Sequence, residues 1–141
     1  MRRGIARRHN EYDLHFEPNM VHINKMIERL KSIPLYFWRN QNGREPVREW
    51  LQEMPIEDRR RLGSDLRTLQ FGWPIGMPLV RSLSGGLWEL RSSLPSRREA
   101  RLFFVAGNES LVLVHAIIKK TQKTPDGDLD IARKRLKELT Q

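Results

Sequence analysis

The sequence contains no cysteine, which excludes disulfide scaffolds, thiolate-bound zinc, iron–sulfur clusters and cysteine nucleophiles as explanations of its function. Long hydrophobic runs are also missing. The longest apolar stretch, Leu111 to Ile118, is interrupted by His115 and is far shorter than the roughly 20 residues that a membrane-spanning helix needs. No apolar run follows the basic N-terminus, so a secretory signal is not expected. These absences predict a soluble cytoplasmic protein that does not act at a membrane.

What the chain has in excess is positive charge. Its 141 residues include 26 Lys and Arg against 17 Asp and Glu, which gives a formal net charge of 26 − 17 = +9. Such an excess favours an acidic partner. Nucleic acid is the most favoured class of partner, followed by an acidic protein and then an anionic membrane. The apolar fraction of 38% includes 4 Trp and 5 Phe, so the chain is expected to form a core.

Residues 1–34 differ in character from residues 35–141. They are rich in arginine and histidine and show little apolar periodicity. We interpret them as a flexible basic extension, with one short helical piece around residues 24–31, that precedes a single domain of residues 35–141. A solvated tail is favoured over a phosphate-binding arm, because only charge supports the second interpretation. A third interpretation is that translation starts later, for instance at Met26, so that the extension is not part of the natural protein.

From residue 35 onward the patterning predicts the order β-α-α-β-β-β-α. Apolar and aromatic runs indicate the strands, and prolines mark the helix starts. Gly107-Asn108 separates the last two strands and predicts an antiparallel hairpin. This order is typical of the α+β class, with a small, mostly antiparallel sheet and helices packed on one face. The predicted strands cover residues 35–38, 87–92, 100–106 and 111–118, and the predicted helices begin near Pro46, Pro55 and Thr124-Pro125.

Metal and nucleophile chemistry have little support in the sequence. Three of the four histidines lie in the extension without metal-binding spacing, and His115 stands alone on an apolar strand. A sheet-face role for His115 is favoured over a ligand or base role. The sequence also lacks a glycine-rich phosphate loop and a serine-nucleophile motif. No metal or other cofactor is therefore expected.

Positive side chains within the strands are the main candidates for a functional site. Arg91 and Arg101 interrupt otherwise apolar runs on two neighbouring predicted strands. If these strands pair, both guanidinium groups project from the helix-free face of the sheet. Two fixed guanidinium groups suit the bidentate, permanently charged recognition of a phosphodiester.

A second set of cations follows the last predicted strand. Lys119, Lys120 and Lys123 precede the final helix, whose N-terminus also attracts phosphate. Strand alternation places Lys119 and Lys120 on opposite faces, so at most one of them shares the face of the two arginines. Residue types alone favour nucleic-acid binding over catalysis.

Four blocks of the sequence resemble the phage-related, HigB-like branch of the RelE/ParE toxin superfamily. The resemblance covers residues 35–141 and leaves out residues 1–34. It implies a RelE-like fold, a toxin of a type II toxin–antitoxin pair, and a cognate helix-turn-helix antitoxin as partner. The blocks are GREPVREWL (residues 43–51), LQFGWPIGMPLVRSL (69–83), GGLWELRS (85–92) and KKTQKTP (119–125).

The activity implied by the resemblance is metal-free cleavage of mRNA in the ribosomal A site, so the ribosome with its mRNA is the implied target. Matching the family pattern assigns catalytic roles to Arg91, Arg101 and Lys120. Lys119 and Lys123 are assigned to substrate binding. The Tyr or His that many relatives place near the C-terminus is missing here. The general base therefore stays open between Lys120 and Lys123, with His115 a poorer candidate.

Two other functions are left open by the sequence. A ParE-like inhibitor of DNA gyrase needs no catalytic residues, and the missing C-terminal tyrosine slightly favours it. A phage remnant that only binds nucleic acid or an antitoxin is the third. The set of Arg91, Arg101 and Lys120 favours the ribonuclease.

Overall fold

The computed structural model describes residues 4–5, 20, 22–24, 32–120 and 123–140. Residues 20 and 22–24 are helical, and the other elements are bounded as follows. The strands are β1 (Gly4–Ile5), β2 (Leu35–Phe37), β3 (Val80–Ser82), β4 (Leu87–Ser93), β5 (Glu99–Ala106) and β6 (Leu111–Ile118). The helices are α1 (Pro46–Gln52), α2 (Ile56–Gly72) and α3 (Asp126–Leu139).

The strands form one sheet in the order β1-β2-β6-β5-β4-β3. Strand β2 is parallel to β6, and the other neighbouring pairs are antiparallel. The predicted α+β class and the hairpin between β5 and β6 are therefore confirmed. Two short strands were not predicted, because the two residues of β1 and the three residues of β3 are too few to show alternation.

Strand β1 belongs to the segment that we interpreted as a flexible extension. Its residues Gly4 and Ile5 pair with Phe37 and Tyr36 of β2, so this part of the segment is an edge strand of the sheet. The helical piece predicted around residues 24–31 lies outside the described residues, apart from Asn24.

Helices α1 and α2 pack together on one face of the sheet, as predicted. Pro46 occupies the first turn of α1, and Pro55 precedes α2. Backbone N–H groups at these positions form no hydrogen bond within the helix, so proline, which lacks an N–H, costs nothing there. The buried face of α2 shares one hydrophobic core with inward-pointing residues of the central strands β5 and β6. The members of this core include Leu62, Leu66, Leu69, Leu102, Phe104, Leu111 and Leu113.

Helix α3 packs against strand side chains that point to the opposite face of the sheet from the first core. Because successive residues of a strand point to opposite faces, α3 lies on the face that α1 and α2 leave uncovered. Ala132 of α3 is buried there, and Leu129 and Leu136 pack around it. The strand residues of this second core include Leu87, Phe103, Val112 and Val114.

Phe104 is the aromatic centre of the first core. Its side chain is 0% exposed, and its ring packs edge-on against Trp73, 5.4 Å between ring centroids. We expect Phe104→Ala to lower the free energy of unfolding by about 3–5 kcal/mol, because the cavity cannot close fully. Phe71→Ala is the control, since Phe71 is 47% exposed on α2. Urea unfolding of both variants tests this, and equal small losses would contradict the described core.

Asp58 joins the first turn of α2 to the turn between β4 and β5. Its carboxylate accepts hydrogen bonds from the Ser96 backbone N–H and the Arg98 guanidinium, both at 3.1 Å. Burial raises the pKa of the Asp58 carboxyl, but the hydrogen bonds from Ser96 and Arg98 outweigh this effect. The pKa therefore lies below its ordinary value of 3.8. The ionised carboxylate therefore stabilises the fold.

This low pKa predicts a specific pH dependence of stability. The contribution of Asp58 is fully present above pH 3.8 and is lost as the pH falls through the lower pKa of the folded state. In Asp58→Asn we expect a lower free energy of unfolding at neutral pH and a flatter decline in acid. Denaturation curves collected across the acid range measure both. A decline parallel to that of the parent protein would contradict the assignment.

Candidate functional site

A cleft with a volume of about 550 Å³ lies at the C-terminal end of β6. Strand β2 pairs only with residues 111–113, so the rest of β6 on that side has no neighbouring strand among the described residues. Trp50 of α1 lines the cleft beside the end of β6, and the segment leading into α3 completes it. The lining residues are Trp50, Arg101, Ala116, Ile117, Ile118, Lys119, Lys120, Lys123, Thr124, Pro125 and Asp128.

The three predicted lysines all line this cleft. Lys119 Nζ lies 3.3 Å from Glu99 Oε2, and Lys123 Nζ lies 3.8 Å from Asp126 Oδ1. Lys120 is exposed and forms no ion pair with a described acidic residue. The expectation that Lys119 and Lys120 lie on opposite faces of the sheet stays a prediction, because a cleft at a sheet edge is lined by residues of both faces.

Arg91 and Arg101 are directly opposite each other on β4 and β5. Their Cα positions therefore place both side chains on the same face of the sheet, as predicted. This face is not helix-free, as the sequence had suggested, because it is the face of Leu87 and Phe103, against which α3 packs. Arg101 does not project into solvent, however: its side chain is 3% exposed, at the floor of the cleft. Arg91 is 27% exposed and stands beside the cleft, where its Nε lies 3.5 Å from Glu99 Oε1.

Two residues that the sequence analysis missed, Glu89 and Thr124, support this arrangement. Glu89 is 0% exposed, and its Oε2 lies 3.7 Å from Arg101 Nη1. The Thr124 hydroxyl accepts a hydrogen bond from Arg101 at 2.7 Å and donates one to Glu89 at 3.3 Å. A glutamate on the buried face of an otherwise apolar strand was the available signal, because a buried carboxylate requires a cationic or donor partner.

The role of Thr124 also corrects the predicted start of the last helix. Helix α3 begins at Asp126 after Pro125, and no side chain caps it. The Thr124 hydroxyl is engaged with Arg101 and Glu89, which lie on the sheet, so it is not available to the helix N-terminus. Satisfying a buried ion pair outweighs a surface cap.

His115 lies against the sheet, in agreement with the favoured interpretation of the sequence. Its ring stacks on Phe103 with 6.0 Å between centroids, and its Nε2 lies 2.7 Å from Asp128 Oδ1 in the first turn of α3. This contact joins the final helix to β6 next to the cleft. In the part of the chain that the structure describes, no three side chains of the metal-binding types lie together.

The cleft combines positive charge with apolar walls. Ammonium groups at its rim and a guanidinium at its floor attract phosphate oxygens, whereas Trp50 and Ile117 offer surface to a ribose or base. The carboxylates of Glu89 and Glu99 hold the arginines and Lys119 in place, so these cations are oriented before any ligand binds. The site is therefore suited to a phosphodiester chain.

Residues 49–137 match the family described as phage-derived protein Gp49-like (DUF891). The match spans more than half of the chain and includes every residue that lines the cleft, so this chain belongs to the Gp49-like family, a RelE/toxin-like family. Membership is compatible with a toxin of a toxin–antitoxin system and suggests an antitoxin partner. No curated protein matches the chain. None of the described helices is long and apolar enough to cross a membrane.

Proposed function

We propose that this chain is a HigB-like toxin that cleaves mRNA on the ribosome and so blocks translation. The cleft supports this proposal most directly, because it collects Lys119, Lys120 and Lys123 beside Arg101 within a RelE/toxin-like family. RNA cleavage by its own 2′-hydroxyl needs only positioning, proton transfer and charge stabilisation from the protein. These are the properties that the cleft offers.

In the proposed reaction the ribose 2′-oxygen attacks the adjacent phosphorus in line. The O2′–P bond forms and the P–O5′ bond breaks, which leaves a 2′,3′-cyclic phosphate and a free 5′-hydroxyl. A base takes the proton of the 2′-hydroxyl, and the departing 5′-oxygen receives a proton. Lys120 and Lys123 are the candidates for these proton transfers, because both line the cleft. The one that acts as the base does so as a neutral amine, and the one that protonates the 5′-oxygen does so as an ammonium.

The other proposed roles are phosphate binding and charge stabilisation. Lys119 and Lys123 bind phosphates on either side of the cleavage site, held in position by Glu99 and Asp126. Arg101 acts from the floor of the cleft, where its buried charge stabilises the negative charge that develops on the phosphate. Arg91, its cross-strand partner, contributes charge from beside the cleft.

Inhibition of DNA gyrase is the second candidate function. The observation that favours it is the sequence after Ile118, which contains no tyrosine or histidine that would act as a general base. A toxin that binds gyrase needs no such residue. A phage remnant that binds only nucleic acid or an antitoxin is the third candidate.

A translation reaction programmed with purified mRNA, without any DNA template, distinguishes these functions. A ribosome-dependent ribonuclease stops protein synthesis in this reaction, whereas a gyrase inhibitor has no target there. We expect synthesis to stop and the mRNA to shorten only when ribosomes are present. Normal synthesis with intact mRNA would overturn the ribonuclease proposal, and a supercoiling assay with purified gyrase would then test the second candidate.

A further inference from the structure

One edge of β6 extends beyond the strand that covers it. Strand β2 pairs with residues 111–113, and the last hydrogen bond on this side runs from the Trp38 N–H to the Leu113 carbonyl at 2.9 Å. Strand β6 continues to Ile118. Beyond Val114, its edge therefore has no neighbouring strand within the described residues.

An irregularity in the pairing decides which backbone groups face this open edge. Phe103 pairs with His115 whereas Phe104 pairs with Leu113, so Val114 is an extra residue in β6. Beyond it, residue 117 is paired with β5, and the Lys119 N–H donates to the Glu99 carbonyl at 2.7 Å. Because orientation alternates along an antiparallel strand, the N–H and C=O groups of residues 116 and 118 point away from β5.

The extra residue itself is covered by α3. The Arg135 guanidinium donates a hydrogen bond to the Val114 carbonyl at 2.7 Å and lies over the Trp38 ring, 4.2 Å from its centroid. The open part of the edge is therefore short and defined. It begins after Val114, includes the outward-pointing groups of residues 116 and 118, and ends at Lys119.

The surroundings of this edge indicate the chemistry of its ligand. Residues 116–118 line the cleft, with the indole of Trp50 as an apolar wall. The cations of Lys119, Lys120 and Lys123 lie at the end of the edge. Unpaired strand edges bind extended chains through main-chain hydrogen bonds, and adjacent cations favour carboxylates in that chain.

We propose that the open edge of β6 at residues 116–118 binds an extended acidic segment of a protein partner by strand addition. The main-chain groups of Ala116 and Ile118 pair with the segment, and its carboxylates contact the lysines at the end of the cleft. This inference does not depend on RNA cleavage, because it needs only the edge and the charge. A segment bound there covers Lys120 and so closes the cleft to other ligands.

Amide hydrogen exchange of the whole chain, followed by NMR, tests the proposal. The probe is a synthetic peptide of about ten alternating valine and glutamate residues, which is at the upper end of the usual range of strand lengths. In the free protein we expect the amides of Ala116 and Ile118 to exchange at least about tenfold faster than that of Ile117, which bonds to β5. The peptide should slow the exchange of Ala116 and Ile118 by about tenfold or more and leave Ile117 unchanged.

Three controls separate this mode of binding from others. A peptide of alternating valine and lysine should not protect these amides, and the acidic peptide should bind less tightly as salt is added. Lys120→Glu should weaken binding, whereas Lys134→Glu, the same charge change at an exposed position of α3 outside the cleft, should not. Ile118→Pro removes one outward N–H, and Ile118→Val keeps it, so only the proline variant should lose affinity.

Several results would overturn the proposal. These are slow exchange of Ala116 and Ile118 in the free protein, peptide binding that leaves both amides unprotected, and equal protection by the lysine peptide. Absence of binding by the acidic peptide at millimolar concentration would do the same. Protection by a single-stranded oligoribonucleotide but not by the acidic peptide would assign the edge to nucleic acid instead. Protection that grows with protein concentration alone would assign it to a second copy of this chain.

Discussion

Replacement of Lys120 by alanine should reduce the rate of mRNA cleavage by about 100-fold to 1,000-fold, because it removes a group that contacts the phosphate and is a candidate for proton transfer. Lys120 lines the cleft, is exposed, and has no ion-pair partner among the described acidic residues. Its ammonium group is therefore available to the phosphate in a way that Lys119, held by Glu99, is not. The rate is measured as the loss of full-length mRNA in a translating reaction.

The same variant should keep the stability of the parent protein, because its side chain makes no contact that holds the fold together. Lys134→Ala is the matched control: it removes the same charge from an exposed position of α3, outside the cleft. We expect this control to retain full activity. Equal cleavage by Lys120→Ala and the parent protein would show that Lys120 does not contact the reacting phosphate.

Replacement of Arg101 by methionine should lower the free energy of unfolding by about 3–5 kcal/mol, as is typical when one partner of a buried ion pair is removed. The reason is the carboxylate of Glu89, which is 0% exposed and would lose the more deeply buried of its two neighbouring guanidinium groups. The Thr124 hydroxyl would still donate a hydrogen bond to Glu89 at 3.3 Å, and Arg91 Nε would remain 3.8 Å from Glu89 Oε1. Urea or guanidinium unfolding measures the loss.

The double variant Arg101→Met/Glu89→Gln should recover much of that loss, because no uncompensated charge is then buried. A destabilisation of the double variant equal to the sum of the two single losses would contradict the proposed pairing. The comparison also affects how activity data are interpreted. An inactive Arg101→Met variant has to be shown to be folded before its inactivity is attributed to the cleft.

The elements that sequence patterning identified are those whose signal is local. The strands β5 and β6 are eight-residue runs joined at Gly107-Asn108, and Pro46 and Pro55 stand at helix starts. The short strand β3 has three residues, and its existence depends on β4 beside it rather than on its own composition. Patterning within one segment cannot reveal such a strand.

The candidate site was predictable in part for the same reason. The lysines after β6 stand out by charge alone, and the two arginines by interrupting apolar strands. The local context of Thr124, just before a helix start, favours a helix cap, but the buried carboxylate of Glu89 determines where its hydroxyl points. The apolar spacing around Trp50 indicates only the buried face of a helix, and its place in the cleft depends on where β2 ends. Both depend on contacts between segments distant in the sequence.

Mapping mRNA 5′ ends in a cell-free translation reaction tests the central proposal most directly. The reaction is run with the parent protein, with Lys120→Ala and with Lys134→Ala, and in parallel on the same RNA without ribosomes. The proposal predicts new 5′-hydroxyl ends within the reading frame for the parent protein and for Lys134→Ala. It predicts none for Lys120→Ala or for naked RNA. Intact mRNA with the parent protein, or the same cuts without ribosomes, would contradict it.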